Sequence, residues 1–171
     1  MNRILLAALC VVSSCLASAQ TIQNIVDFND SIPGNWSAGG SSSLSLSSEH
    51  LKGGAHALKW TAGSGDTLRA TNLGIPSSYL SSSSHFFIYS PLAGQDTLIV
   101  QFLDNSNTVQ REGHLLLNYQ GWREYHRNLL DDYNYGNSLS SFSLNGFRII
   151  YRPAVPGASG KVWLDELWFT G

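Results

Sequence analysis

Short runs rich in Val, Ile, Leu, Phe, Trp and Tyr recur along the chain between clusters of Ser, Gly, Asn and Pro, and no segment carries a helical period. The runs predict strands near 24–29, 43–48, 56–62, 66–71, 84–90, 96–104, 112–119, 121–129, 145–152 and 160–169. About ten strands at this spacing predict an all-β chain folded as a β-sandwich. Alternation orients several of them. In SLSLS, Leu44 and Leu46 face one way and the serines face water, as on an outer strand. In GFRIIYR, Phe147, Ile149 and Tyr151 share a face opposite Arg148, Ile150 and Arg152. In KVWLDELWF apolar residues fall on both faces, which predicts a central strand with Asp165 tied down by a partner. Asp104–Asn107 (DNSN) predicts a hairpin turn, the serine-rich stretches 37–48 and 77–84 predict loops and edge strands, and 128–138 predicts a loop. No repeat and no second-domain boundary is visible.

The first residues stand apart from this pattern. Arg3, an apolar run from Ile4 to Val12 and the small-x-small triplet Ala17-Ser18-Ala19 predict a signal peptide over 1–19, leaving one domain over 20–171 that is secreted or periplasmic. The alternative is a lipoprotein box at Val12-Ser13-Ser14-Cys15, with the protein tethered through a lipid on Cys15. The apolar run falls short of the ~20 residues that span a bilayer, so no transmembrane segment is expected. Both cysteines, Cys10 and Cys15, lie in this leader, so after cleavage no disulfide, thiolate metal site or cysteine nucleophile is expected. Without Arg3 the chain keeps nine of its ten Lys and Arg against 12 Asp and Glu, a balance that argues against nucleic acid and leaves only a local basic face for a polyanion.

Chemistry-bearing motifs are sparse. There is no nucleophile elbow, HExxH pair, phosphate loop or dinucleotide fingerprint, and the five histidines are scattered without metal-ligand spacing. Asp131-Asp132 sits in a polar loop and reads as a solvated pair. The most informative run is NYQGWREYHRNLLDD, 118–132, a glycine-pivoted turn leading into a strand. On that strand Trp122, Glu124 and His126 share one face, and Arg123, Tyr125 and Arg127 the other. With Trp122 inward as a core plug, Arg123, Tyr125 and Arg127 become the outward binding candidate. Two guanidiniums make forked contacts to sulfate or carboxylate, and Tyr125 offers a stacking surface for a sugar. The competing reading is a solvated or interdomain face with ordinary arginines. Tyr133 and Tyr135 on the adjoining loop, and Trp36, are lesser stacking candidates.

These features come in a particular order: SLSLSSEHLKGGAHALKW (43–60), TLRA (67–70), HFFIYSP (85–91), LLLNYQGWREY (115–125), FRIIYRP (147–153) and GKVWLDELWF (160–169). That order resembles the N-terminal β-sandwich domain of chondroitin sulfate ABC lyases, in the polysaccharide lyase group that also cleaves hyaluronan. The resemblance implies a galactose-binding-like jelly roll and places Trp122 inward. In those lyases a helical toroid carrying the catalytic residues follows this domain, and none of those residues maps onto this chain. The expected function is therefore non-catalytic: a domain contributing to binding of a glycosaminoglycan or related polysaccharide. The alternative is a scaffold docking onto a lyase catalytic domain. Jelly rolls of this type often hold a structural Ca2+ between the first and last strands. Its expected ligands here are Asn29 and Asp165, with Asp27, Asp30 and carbonyls around 52–54 as further candidates.

Overall fold

The computed structural model describes residues 22–75, 83–128, 135–136 and 144–170. The expected leader with Cys15, the Asp131-Asp132 pair and the stacking candidate Tyr133 lie outside the described residues. Twelve strands make up the fold: β1 (Ile22–Val26), β2 (Trp36–Gly39), β3 (Ser43–Ser47), β4 (Ala57–Ala62), β5 (Thr67–Ala70), β6 (Ser83–Ser90), β7 (Thr97–Leu103), β8 (Val109–Leu116), β9 (Gly121–Asn128), β10 (Tyr135–Gly136), β11 (Gly146–Arg152) and β12 (Gly160–Thr170). The ten expected strands are all present, within a few residues at each end. Two short ones, β2 and β10, fall where the sequence reads as loop.

The strands form two antiparallel sheets. The first runs β3-β4-β12-β6-β9, with β1 also paired to β12, and the second runs β10-β8-β7-β11-β5-β2. Their inner faces meet over Trp60, Tyr125, Tyr151, Phe28, Phe102, Phe147 and Phe169, all under 2 % exposed. Burial of this apolar area drives the two layers together. Leu44 and Leu46 pack against that core from β3, and Phe147, Ile149 and Tyr151 enter it from β11, as the alternation predicts.

β12 holds the centre of the first sheet and departs from plain alternation. Asp165 pairs with Phe87 and Trp168 with His85, so β12 spends three steps where β6 spends two. This is a β-bulge, and Glu166 within it has φ of 50°. The extra residue resets the parity. Val162 and Leu164 face the core before it and Leu167 and Phe169 after it, while Trp163, Asp165 and Trp168 line the outer face. The bulge also marks a change of neighbour, from β4 (up to Leu164) to β1 (from Leu167).

Candidate functional site

β9 is the edge strand of the first sheet, and it places the sequence candidates with inverted faces. Tyr125 pairs with Phe86, stacks on its ring at 4.7 Å and is 1 % exposed, so it belongs to the core and offers no surface to a sugar. Trp122 is on the outer face, edge-on to Tyr89 at 5.5 Å. Alternation divides a strand into two sets but does not say which set faces in. Pairing with β6 decides it, because Phe86 is the inward residue there. Arg123 and Arg127 share the inward set and escape along the open edge. Arg123 lies over the Tyr119 ring at 4.9 Å, Arg127 lies over Tyr125 at 5.3 Å, and its Nη2 donates to the His114 carbonyl at 3.5 Å. Burial pushes the Tyr119 phenol up to about 12 although Arg123 pulls it down. The three residues are thus neighbours, but they close the gap between sheets rather than form one ligand-facing surface.

The second sheet gathers polar side chains that the sequence leaves scattered. Ser37, Arg69, Arg148, Gln101 and Glu112 stand side by side in one register row across β2, β5, β11, β7 and β8. All take the parity opposite to the core residues of their strands. Arg148 donates from Nε to Gln101 Oε1 at 2.8 Å, with Nη2 on the same oxygen, and Gln101 donates from Nε2 to Glu112 Oε2 at 2.6 Å. His114 Nε2 lies 3.1 Å from Glu112 Oε1. Burial pushes the Glu112 carboxyl up, but the Gln101 and His114 hydrogen bonds outweigh it and hold the group below its ordinary value.

Arg69 and Arg148 face each other directly across two strands, a pairing of like charges that costs stability. Arg69 is held by the amide of Asn107 and Arg148 by that of Gln101, and neither has a carboxylate partner among the described residues. Beside Arg69 opens a cleft of about 400 Å³ lined by Ser37, Asn72, Asp104, Asn107 and Asn145 among others. Asn72 and Asn107 adopt left-handed φ of 53° and 63°, a conformation that asparagine tolerates better than other side chains. The signal for this row was present in part: the outward face Arg148, Ile150, Arg152 is legible in GFRIIYR. The order of strands that brings Arg69 to Arg148 is not.

Asn29 and Asp165 come together as expected, around one loop. Asn29 Oδ1 accepts from Ala55 N at 2.7 Å. Asp165 accepts from Lys52 N and Gly53 N at 3.3 Å and from Glu166 N at 2.9 Å. Burial pushes the Asp165 carboxyl above its ordinary value, and these three N–H groups only partly offset it. The loop so anchored is a strap across the outer face, with His50 stacked on Tyr89 at 3.8 Å and Lys52 over the Phe87 ring at 4.4 Å. Both side chains are committed to backbone N–H donors, which point hydrogens where a cation would need free lone pairs. Among the described residues no group of three or more His, Cys, Asp or Glu converges as a metal site.

The two-sheet antiparallel sandwich is like that of carbohydrate-binding modules. Solved structures share it at low identity. A carbohydrate-binding module of the β-sandwich superfamily, described for promiscuous specificity, matches with a TM-score of 0.56 at 14% identity over 83% of this chain and 60% of its own. The family 11 module of Clostridium thermocellum, in complex with a β-1,3-1,4-mixed-linked tetrasaccharide, matches at 0.52 and 14% identity over 86% and 94%. An exo-β-agarase matches at 0.64 and 14% over 86% of this chain but only 25% of the enzyme. No curated protein sequence matches the chain. The family model "Lyase, N terminal" matches residues 22–171, and the chain belongs to that family.

Proposed function

We propose that this domain binds an acidic polysaccharide of the glycosaminoglycan kind, without cutting it, as companion to a lyase catalytic domain. The ligand lies along the polar row of the second sheet. The observation that carries this reading is the cross-strand pair Arg69 and Arg148, two guanidiniums tethered by neutral amides and in no ion pair among the described residues. A sulfate or carboxylate between them relieves their mutual repulsion and accepts forked charge-assisted bonds. The asparagine-lined cleft next to Arg69 supplies amides for sugar hydroxyls. Membership of a family of lyase N-terminal domains and the likeness of the fold to carbohydrate-binding modules support the same reading.

The test is titration of the chain with chondroitin sulfate at rising salt. Binding is expected at low salt, with log K falling linearly against log salt, as for other polyanions. Arg148→Ala and Arg69→Ala are each expected to weaken it about tenfold or more, the worth of a charged hydrogen bond at ~1.5–3 kcal/mol. Arg148→Lys recovers only part, because an ammonium lacks the fork. Absence of binding at low salt, or wild-type affinity in both alanine variants, overturns the assignment.

A further inference from the structure

The outer face of the first sheet carries a second recess, chemically unlike the polar row on the opposite side of the sandwich. It has a volume of about 660 Å³ and is set between β1, the bulge of β12 and the strap. That volume is in the range of small-molecule sites. The indole of Trp168 forms one wall, Gly53 and Gly54 another, and Ile22, 64 % exposed, stands at the rim. Trp168 is held upright by a stack of rings: His85 lies parallel to it at 4.9 Å and His126 parallel to His85 at 4.4 Å. β6, which carries His85, and β1, which lines the recess, flank β12 on opposite sides. On the side away from His85, Trp168 pairs with Asn24 of β1, the strand that lines the recess.

Two residues beside the recess hold backbone conformations that L side chains disfavour. Phe28 has φ of 57°, which buries its ring in the core and leaves its neighbours Asp27 and Asn29 lining the recess. Glu166 has φ of 50° at a bulge position where glycine is the ordinary occupant. Its carboxylate has no hydrogen-bond partner among the described residues and lies against Gly53, where a Cβ would come within 2.6 Å of Oε1. A side chain kept at conformational cost, yet bonded to nothing, is the kind of outlier from which a role can be inferred. The charged groups lining the recess are all carboxylates, Asp27, Asp165 and Glu166. They repel the sulfates and uronates that suit Arg69 and Arg148. They accept hydrogen bonds from vicinal hydroxyls, while a flat indole takes the C–H face of a sugar ring.

We infer that this recess is a separate subsite for an uncharged pyranose ring, stacked on Trp168 with its hydroxyls donating to Glu166 and Asp27. It is independent of the acidic-polysaccharide reading. The test uses the full chain and a panel of neutral tetrasaccharides from β-1,3-1,4-glucan, xylan, galactan and N-acetylhexosamine polymers. The indole N–H resonance of Trp168 is identified by its loss in Trp168→Phe. At least one probe is expected to shift it saturably below about 10 mM. Glu166→Gly is expected to weaken that binding about tenfold or more. It should do so without lowering the melting temperature, since glycine relieves the backbone, and without changing affinity for chondroitin sulfate. A structural role for Glu166 would instead lower stability. The inference is overturned if no probe moves the resonance, if Glu166→Gly binds as wild type, or if Ca2+ alone saturates the same resonances and displaces the sugar.

Discussion

Tyr125 and Trp122 lie three residues apart on β9 and on opposite sides of the sheet, so truncating each in turn measures which side is the core. Tyr125 is 1 % exposed and stacked on Phe86 at 4.7 Å. Removing a buried aromatic ring with incomplete collapse of the cavity costs about 3–5 kcal/mol. Trp122 is half-buried and meets Tyr89 edge-on at 5.5 Å, so Trp122→Ala loses partial area and one ring contact, about 1–2 kcal/mol. For a domain of this size, ~1 kcal/mol moves the melting temperature by about 2–4 °C. Tyr125→Ala is thus expected to lower it by roughly 6–20 °C and Trp122→Ala by roughly 2–8 °C. Thermal melts followed by circular dichroism give the ranking, and urea midpoints at constant slope confirm that stability, not the unfolded state, has changed. If Trp122→Ala costs as much as Tyr125→Ala, the face assignment of β9 is wrong, and with it the placing of the outer aromatic cluster.

Three further outcomes follow from the strap and its anchors. Gly54→Ala puts a Cβ 1.5 Å from Asn29 Oδ1 at a φ of 62°, so it should break the Asn29–Ala55 bond and cost about 2 kcal/mol or more in urea unfolding. Asp165 is raised above its unfolded value of 3.8 by burial, so its contribution to stability is greatest below that value and is lost as pH rises through the folded pKa. The melting-temperature difference between Asp165→Asn and wild type should therefore shift in the variant's favour from pH 3.5 to pH 7 (roughly); a difference independent of pH refutes the burial reading. With Asn29 and Asp165 committed to backbone N–H groups, millimolar Ca2+ or chelator should leave the melting temperature unchanged within about 1 °C, whereas a bound ion would raise it by mass action.

The strands were legible because each apolar run is short, alternating and bounded by turn residues; every expected strand has its observed counterpart. Face assignment was legible where one set of a strand is wholly apolar, as with Phe147, Ile149 and Tyr151, and failed on β9, where both sets carry an aromatic. There the bias toward burying tryptophan favoured Trp122, while the partner strand had already committed Phe86 to the core. In KVWLDELWF the mixed pattern was read as burial on both faces. Centrality was right, but part of the mixing comes from the bulge, whose glycine signature is absent because Glu166 occupies the left-handed position. The row from Ser37 to Glu112 was illegible for another reason: its members come from five strands whose order in the sheet depends on long crossovers. No local signal encodes that order.

The bulge at Asp165–Trp168 makes the last strand behave as two short ones spliced out of phase. Every inside or outside assignment after Leu164 depends on a single inserted residue. Deleting Glu166 would close the bulge and restore plain alternation, with Leu167 and Phe169 still turned inward. Adding a second residue there would not be a local change: it would carry Trp168 and Thr170 toward the core and turn Leu167 and Phe169 out to water, much as a frameshift rewrites everything downstream of it. β12 is accordingly a strand where substitutions should be tolerated far better than insertions.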